Sequence, residues 1–156
     1  MKKISLLILL SVFAFSCKSK SATNTKLNNK AEVALKGDWT LTSVTYPGSE
    51  YIKVVSFDIA DSNCFFGSDW KFISNNNKGN MALNSTKCTN FSSPITWFIN
   101  RDGQFIMKII NETKAKKVET GYVLKVNNVT ENSFQLIDFT DIAGKNIEVV
   151  YQFQRK

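Results

Sequence analysis

From Gly37 onward, apolar and polar residues alternate with a period of two. Trp39, Leu41 and Ser43 fall on one side of the first such segment, and Thr40, Thr42 and Val44 on the other. The pattern returns at Ile52 to Ile59 and at Cys64 to Ser74, which contains Trp70 and Phe72. It recurs at Gly79 to Leu83, Ile95–Trp97–Ile99, Phe105–Met107–Ile109, Tyr122–Leu124–Val126 and Phe134–Leu136. In the last segment Ile147, Val149, Tyr151 and Phe153 oppose Glu148, Gln152 and Gln154. Alternation of this kind predicts half-buried β-strands. The intervening stretches are short, and Ser74 to Asn80 and Asn100 to Gly103 carry strong turn signals. Short connections make sequence neighbours antiparallel neighbours in space. Eight or nine such strands leave two exposed edges unless the sheet closes. The predicted fold is therefore all-β, an antiparallel up-and-down barrel of eight to nine strands. A two-sheet sandwich is the competing arrangement.

The first residues follow another pattern. Met1-Lys2-Lys3 is followed by an apolar run from Ile4 to Phe15, then Ser16-Cys17. A basic start, a short apolar core and a small residue before cysteine form a bacterial secretion signal of the lipoprotein type. The run is shorter than the ~20 apolar residues that span a bilayer. Cleavage before Cys17 would leave that residue to be acylated and to hold the chain at a membrane. An ordinary signal peptide with an incidental cysteine is the alternative; Phe15 departs from the usual box and Ser16 fits it. Ser19 to Asn29 is polar and reads as a tether, and Ala31 to Leu35 as one helical turn. The predicted organisation is a signal at residues 1–16, an anchored tether at 17–34 and a barrel domain at 35–156. Lys18 rather than Asp follows Cys17, which implies the outer membrane, and the lysines there favour its periplasmic face.

The charge of +7 changes the picture little once it is located. From Lys36 onward there are 14 basic and 12 acidic residues, an ordinary surface. A nucleic-acid footprint would cluster on the domain; the one basic run, Lys114 to Lys117, falls in a predicted loop, and no nucleic-acid partner is expected. With Cys17 assigned to the anchor, Cys64 and Cys88 remain. They are symmetric about the asparagine-rich turn, so in an oxidising compartment they should pair at the base of a hairpin. Two free thiols are the alternative.

Lys36-Gly37-Asp38-Trp39 opens the first strand, and Phe153-Gln154-Arg155 closes the last. Gly-x-Trp at the start with Arg at the end resembles the lipocalin pattern. The layout of Cys64 to Phe72, Cys88, Ile95-Thr96-Trp97 and Tyr151-Gln152-Phe153 is similar to lipocalin-like lipoproteins of Gram-negative bacteria, over roughly Leu35 to Lys156. The resemblance implies a barrel floor made by Gly37, Trp39 and Arg155, with the guanidinium packed over the indole. The second lipocalin motif, Thr-Asp-Tyr, has only a partial echo at Thr140-Asp141-Ile142.

No histidine is present, which excludes Ser-His-Asp and Cys-His catalysis and most zinc sites. Asp58 with Asp61, and Asp138 with Asp141, are close in sequence and read as strand ends and turns rather than as acid–base pairs. No phosphate loop or dinucleotide motif occurs. The chain is expected to be a non-enzyme without cofactor or metal. Asn-x-Ser/Thr sequons at Asn84, Asn90, Asn111 and Asn128 imply polar loops. Trp70, Phe72, Trp97, Phe105, Met107, Tyr122, Phe134 and Tyr151 are the expected inward residues. They would line a cavity for a lipid-like or fatty-acid-like ligand, with Lys71 or Lys108 as candidates for its headgroup. Equally, with 12 phenylalanines, they could fill the barrel. A filled barrel would serve as an envelope interaction or inhibitor module, with Val54-Val55 and Phe65-Phe66 presenting apolar residues on both faces. A monomer is expected in either case.

Overall fold

In the computed structural model, residues 30–49, 52–111 and 121–156 are described. The expected signal at residues 1–16, Cys17, the part of the expected tether up to residue 29 and the basic run Lys114–Lys117 lie outside them. Among the described residues, eight strands close into an antiparallel barrel. They are β1 (Gly37–Thr45), β4 (Asp69–Ile73), β5 (Lys78–Leu83), β6 (Phe91–Ile99), β7 (Gln104–Ile109), β8 (Tyr122–Asn127), β9 (Ser133–Ile142) and β10 (Lys145–Arg155). Each strand from β4 to β10 pairs with its sequence neighbour, and β1 closes the ring between β4 and β10. The competing sandwich is not formed. Closure leaves no unpaired edge.

The alternation translates into burial. Ile147, Val149, Tyr151 and Phe153 of β10 are buried, as are Ile95, Trp97 and Ile99 of β6. In β1 the inner face changes partway. Leu41 lies opposite Phe153 but Val44 lies opposite Tyr151, because a bulge falls between Leu41 and Ser43. The extra residue turns Val44 inward and carries the next inward position to Tyr46, which is buried. The expectation that Ser43 shares a face with Trp39 fails beyond this bulge.

Two segments between β1 and β4 depart from the expected strands. Ile52 to Ile59 is not a barrel strand. It contributes β2 (Val55–Ser56), which pairs with β3 (Ala60–Asp61) as a separate two-stranded ribbon. The chain reverses at Phe57-Asp58, both in the left-handed region. The Ile59 amide donates to the Ser56 carbonyl and closes the turn. Cys64 lies in a one-turn 3-10 helix, Ser62–Phe65, capped by the Asp61 carboxylate. It is bonded to Cys88 across a sequence separation of 24. The cysteines sit just beyond the last β4–β5 pair, Asp69 with Ala82, so they pair across the base of the hairpin, as their symmetry about the turn predicts, although neither is in a strand.

The folded unit also begins earlier than Leu35. Residues 30–35 are helical. Leu35 is fully buried and the Glu32 carboxylate accepts from the Ile99 amide. This turn covers one end of the barrel, so residues 30–34 belong to the domain rather than to the tether. The Arg155 guanidinium lies 4.2 Å from the Trp39 ring centroid and donates to the carbonyls of Ala34, Lys36 and Glu131. The Trp39 indole donates to Leu35. Gly37 has φ +136, and a Cβ there would collide with the Arg155 guanidinium, so glycine is required twice over. The opposite end, where β1, β5, β7 and β9 finish, is the mouth, and the β2–β3 ribbon lies there.

Candidate functional site

All eight predicted inward residues lie in the barrel wall, and seven are buried; Tyr122 is partly exposed. Through the middle of the barrel they touch one another rather than an empty space. Phe72 has ring centroids of Trp97, Phe105, Trp70, Phe134 and Phe153 within 5.3 to 6.3 Å. Trp97 stacks on Phe105 at 5.5 Å, Phe134 on Phe153 at 4.5 Å, and Trp39 meets Phe134 edge-on at 4.7 Å. Such pairs contribute about 0.5–1.5 kcal/mol beyond area burial. The indole donors are satisfied locally, Trp97 by the Lys78 carbonyl and Trp70 by the Ser68 hydroxyl. Floor and middle therefore form a packed aromatic core, and a ligand could compete only at the mouth.

At the mouth the occupant is Phe57, carried in by the ribbon turn. Its ring stacks on Tyr151 at 5.3 Å and meets Tyr122 at 5.1 Å, Phe65 at 5.3 Å and Trp70 at 6.3 Å. A left-handed conformation costs an ordinary L-residue about 1–2 kcal/mol, and a bulky side chain makes it unusual. Aromatic burial and two tyrosine hydroxyls hold the turn in place. Tyr122 donates to the Phe57 carbonyl at 2.7 Å and lies 3.3 Å from the Asp58 carboxylate. The Tyr151 hydroxyl shares a hydrogen bond with Ser56 Oγ at 2.5 Å.

Polar groups collect around this turn. Tyr46, only 7% exposed, has a buried hydroxyl with no hydrogen-bond partner among the described residues. Such a group costs about 1–3 kcal/mol. Asp138 lies opposite the fully buried Val149, two positions beyond the Leu136–Tyr151 pair, so its carboxylate shares the inner face of the barrel. Burial raises the Asp138 carboxyl above the usual carboxylate range. Burial and the neighbouring Asp58 charge push the Tyr122 phenol up to about 12. Burial likewise raises Tyr151, opposed by its Ser56 hydrogen bond and reinforced by the nearby Asp138 and Tyr46. Beside the turn a cleft of about 410 Å³ opens to solvent, lined by Phe57, Asp58, Ile59, Phe91, Ile109 and Tyr122.

Other expected positions fall elsewhere. Lys71 points outward and lies 3.4 Å from Asp38, away from any inner headgroup position. Lys108 pairs with the outward Thr96 and also faces away from the core. Asp61 caps the 3-10 helix and Asp141 accepts from the Gly144 amide in a turn, so neither aspartate pair is assembled for acid–base work. Asn84, Asn90, Asn111 and Asn128 are exposed. Val54 and Phe65 are buried, whereas Val55 and Phe66 are 66% and 61% exposed. Among the described residues no cluster of three His, Cys, Asp or Glu side chains is placed to hold a metal ion. Phe57, Tyr46 and Asp138 were missed as site residues. The alternation from Phe134 through Leu136 to position 138 was the available signal for the last.

A closed eight-stranded up-and-down barrel, with a short helix and an Arg–Trp stack sealing one end, defines a lipocalin-like architecture. Among solved structures the chain is similar to odorant binding protein OBP1, at 11% identity and a TM-score of 0.47, over 80% of this chain and 73% of that one. It is also similar to bovine odorant binding protein in complex with a selenium-containing odorant, at 12% identity and a TM-score of 0.46, over 80% and 72%. No family model matches the chain. No curated protein matches its sequence.

Proposed function

We propose that this chain is a binding protein, not an enzyme, that takes a small apolar molecule into the mouth half of its barrel. It acts while held by an acylated Cys17 at the periplasmic face of an outer membrane. The observation that carries the reading is the composition of the mouth. Tyr46 there has a buried hydroxyl unpartnered among the described residues, and the mouth is occupied by Phe57, from a two-stranded ribbon outside the barrel ladder, packed among Tyr122, Tyr151, Phe65 and Trp70. Apolar walls with a few convergent polar groups are what a small-ligand site requires. The packed middle limits the ligand to the volume Phe57 and its turn now occupy, so a long fatty acyl chain is disfavoured relative to a compact molecule.

The packed middle also favours a second reading, in which the barrel is a rigid scaffold for an envelope partner. Exposed Val55 and Phe66 near the disulfide would then be its contact residues. Native mass spectrometry on the chain purified without detergent, followed by organic extraction, separates the two. A co-purifying small molecule that Tyr151→Ala releases supports the binding reading. A clean apo mass, with no uptake of compact aromatic probes, refutes it and leaves the scaffold.

A further inference from the structure

The chemistry around Phe57 says what kind of molecule would replace it. The floor of its berth is apolar, made by Phe65 and Trp70, and its side is the face of Tyr151, on which the ring stacks. The polar groups on the rim share one character: each offers an oxygen lone pair. Asp138 presents a carboxylate on the inner face. Tyr46 presents a buried hydroxyl without a hydrogen-bond partner among the described residues. Among the described residues, the hydroxyls of Tyr122 and Tyr151 are engaged by the ribbon turn, at Phe57, Asp58 and Ser56, and would be released with it. The ion pairs formed among the described residues, Lys71 with Asp38 and Lys156 with Asp69, are exposed and involve neither Asp58 nor Asp138. The β7–β8 connection at residues 112–120, with three lysines and two glutamates, lies outside the described residues.

We infer that the mouth is a site for a small aromatic amine: a phenyl-sized body in the berth of Phe57, with the three donors of its ammonium group held by Asp138 and the hydroxyls of Tyr46 and Tyr151. This rests on the ligand-binding reading above and specifies its ligand class. An ammonium brings three donors to a carboxylate that only accepts and to hydroxyls that can accept as well as donate, and the aromatic faces of the two wall tyrosines attract a cation further. A carboxylate ligand would meet like charge from Asp138 and Asp58, which disfavours a fatty-acid-like headgroup relative to an ammonium. Phe57 is then an internal occupant. Its turn holds two residues in the left-handed region, so opening relieves strain, and a ligand shifts the population towards the open form by binding that form alone.

The test is calorimetric titration of the full chain, free of detergent, with three probes of one size: 2-phenylethylammonium, 2-phenylethanol and phenylacetate. The amine should bind at least about tenfold more tightly than the acid, the factor for one modest charge contact. Asp138→Asn should bring amine and acid to within about threefold while leaving the alcohol unchanged. Phe57→Ala should tighten all three by emptying the berth. Should Asp138→Asn fail to fold, Tyr46→Phe tests the same rim and should weaken the amine more than the alcohol. Alcohol and acid binding with no preference for the amine would overturn the inference and leave the ligand-binding reading standing. No binding of any probe, by wild type or by Phe57→Ala, would overturn both.

Discussion

Replacing Phe72 by alanine tests whether the middle of the barrel is a core or a cavity. The side chain is 1% exposed and five other rings surround it. Truncation removes about 100 Å³, and at ~24 cal/mol per Å³ of residual cavity this costs about 2.4 kcal/mol if the walls do not relax. The lost transfer free energy of a buried ring adds about 1.5–3 kcal/mol. The expected loss is therefore about 4–5 kcal/mol, at the upper end of the range for Phe→Ala in packed cores. For a domain of this size that lowers Tm by roughly 15 °C. Urea unfolding followed by tryptophan fluorescence reads the loss, with Phe72→Leu as the milder control at about 1 kcal/mol. The void should bind benzene and recover part of the lost stability. A loss below about 1.5 kcal/mol, with no benzene effect, would mean that the rings line a space able to collapse or fill, and the packed-core reasoning would fail.

At the floor, Gly37→Ala should cost about 2–4 kcal/mol in chemical denaturation, through a glycine-only backbone angle and displacement of Arg155 from Trp39; a loss under 1 kcal/mol would contradict that account. Replacing Cys64 and Cys88 together by serine opens the loop they close and should cost about 3–4 kcal/mol on the chain-entropy model, read from the urea midpoint. Asp138 has its folded-state pKa raised by burial, so its contribution to stability is fully present below the unfolded value near 3.9 and is lost as pH rises through the folded value. Asp138→Asn should therefore raise Tm at pH 7, and the difference should vanish below about pH 3.5; an equal effect at both pH values would show that burial of the charge is not its origin. Cys17→Ser should abolish incorporation of labelled palmitate and move the chain from the membrane fraction to the soluble fraction, whereas unchanged partition would refute the anchor.

The barrel was legible because alternation is a local property. Ile147 to Phe153 and Ile95 to Ile99 could be assigned to faces residue by residue, and Cys64 and Cys88 could be paired by their symmetry about one turn. What escaped depends on backbone geometry without a composition signal. The bulge that turns Tyr46 inward contains Thr42 rather than glycine. The ribbon turn puts Phe57 at a left-handed position where glycine or asparagine is usual, so Ile52 to Ile59 read as one strand. Asp138 follows the inward period of β9, but a charged residue on an apolar face is discounted when only the pattern is visible. Whether inward rings fill a barrel or line it is decided by packing across the diameter, which no spacing along the chain records.

The most direct test of the central claim, that Phe57 holds the place of a ligand, is a tryptophan-fluorescence titration with the phenyl-sized probe 2-phenylethylammonium, comparing wild type with Phe57→Ala. The account predicts tighter binding by the variant, with a change in the emission of Trp70 beneath the vacated berth and no change in the packed middle. If neither form takes up the probe, or if removing Phe57 weakens uptake, the mouth is not a ligand site and the barrel is a closed scaffold.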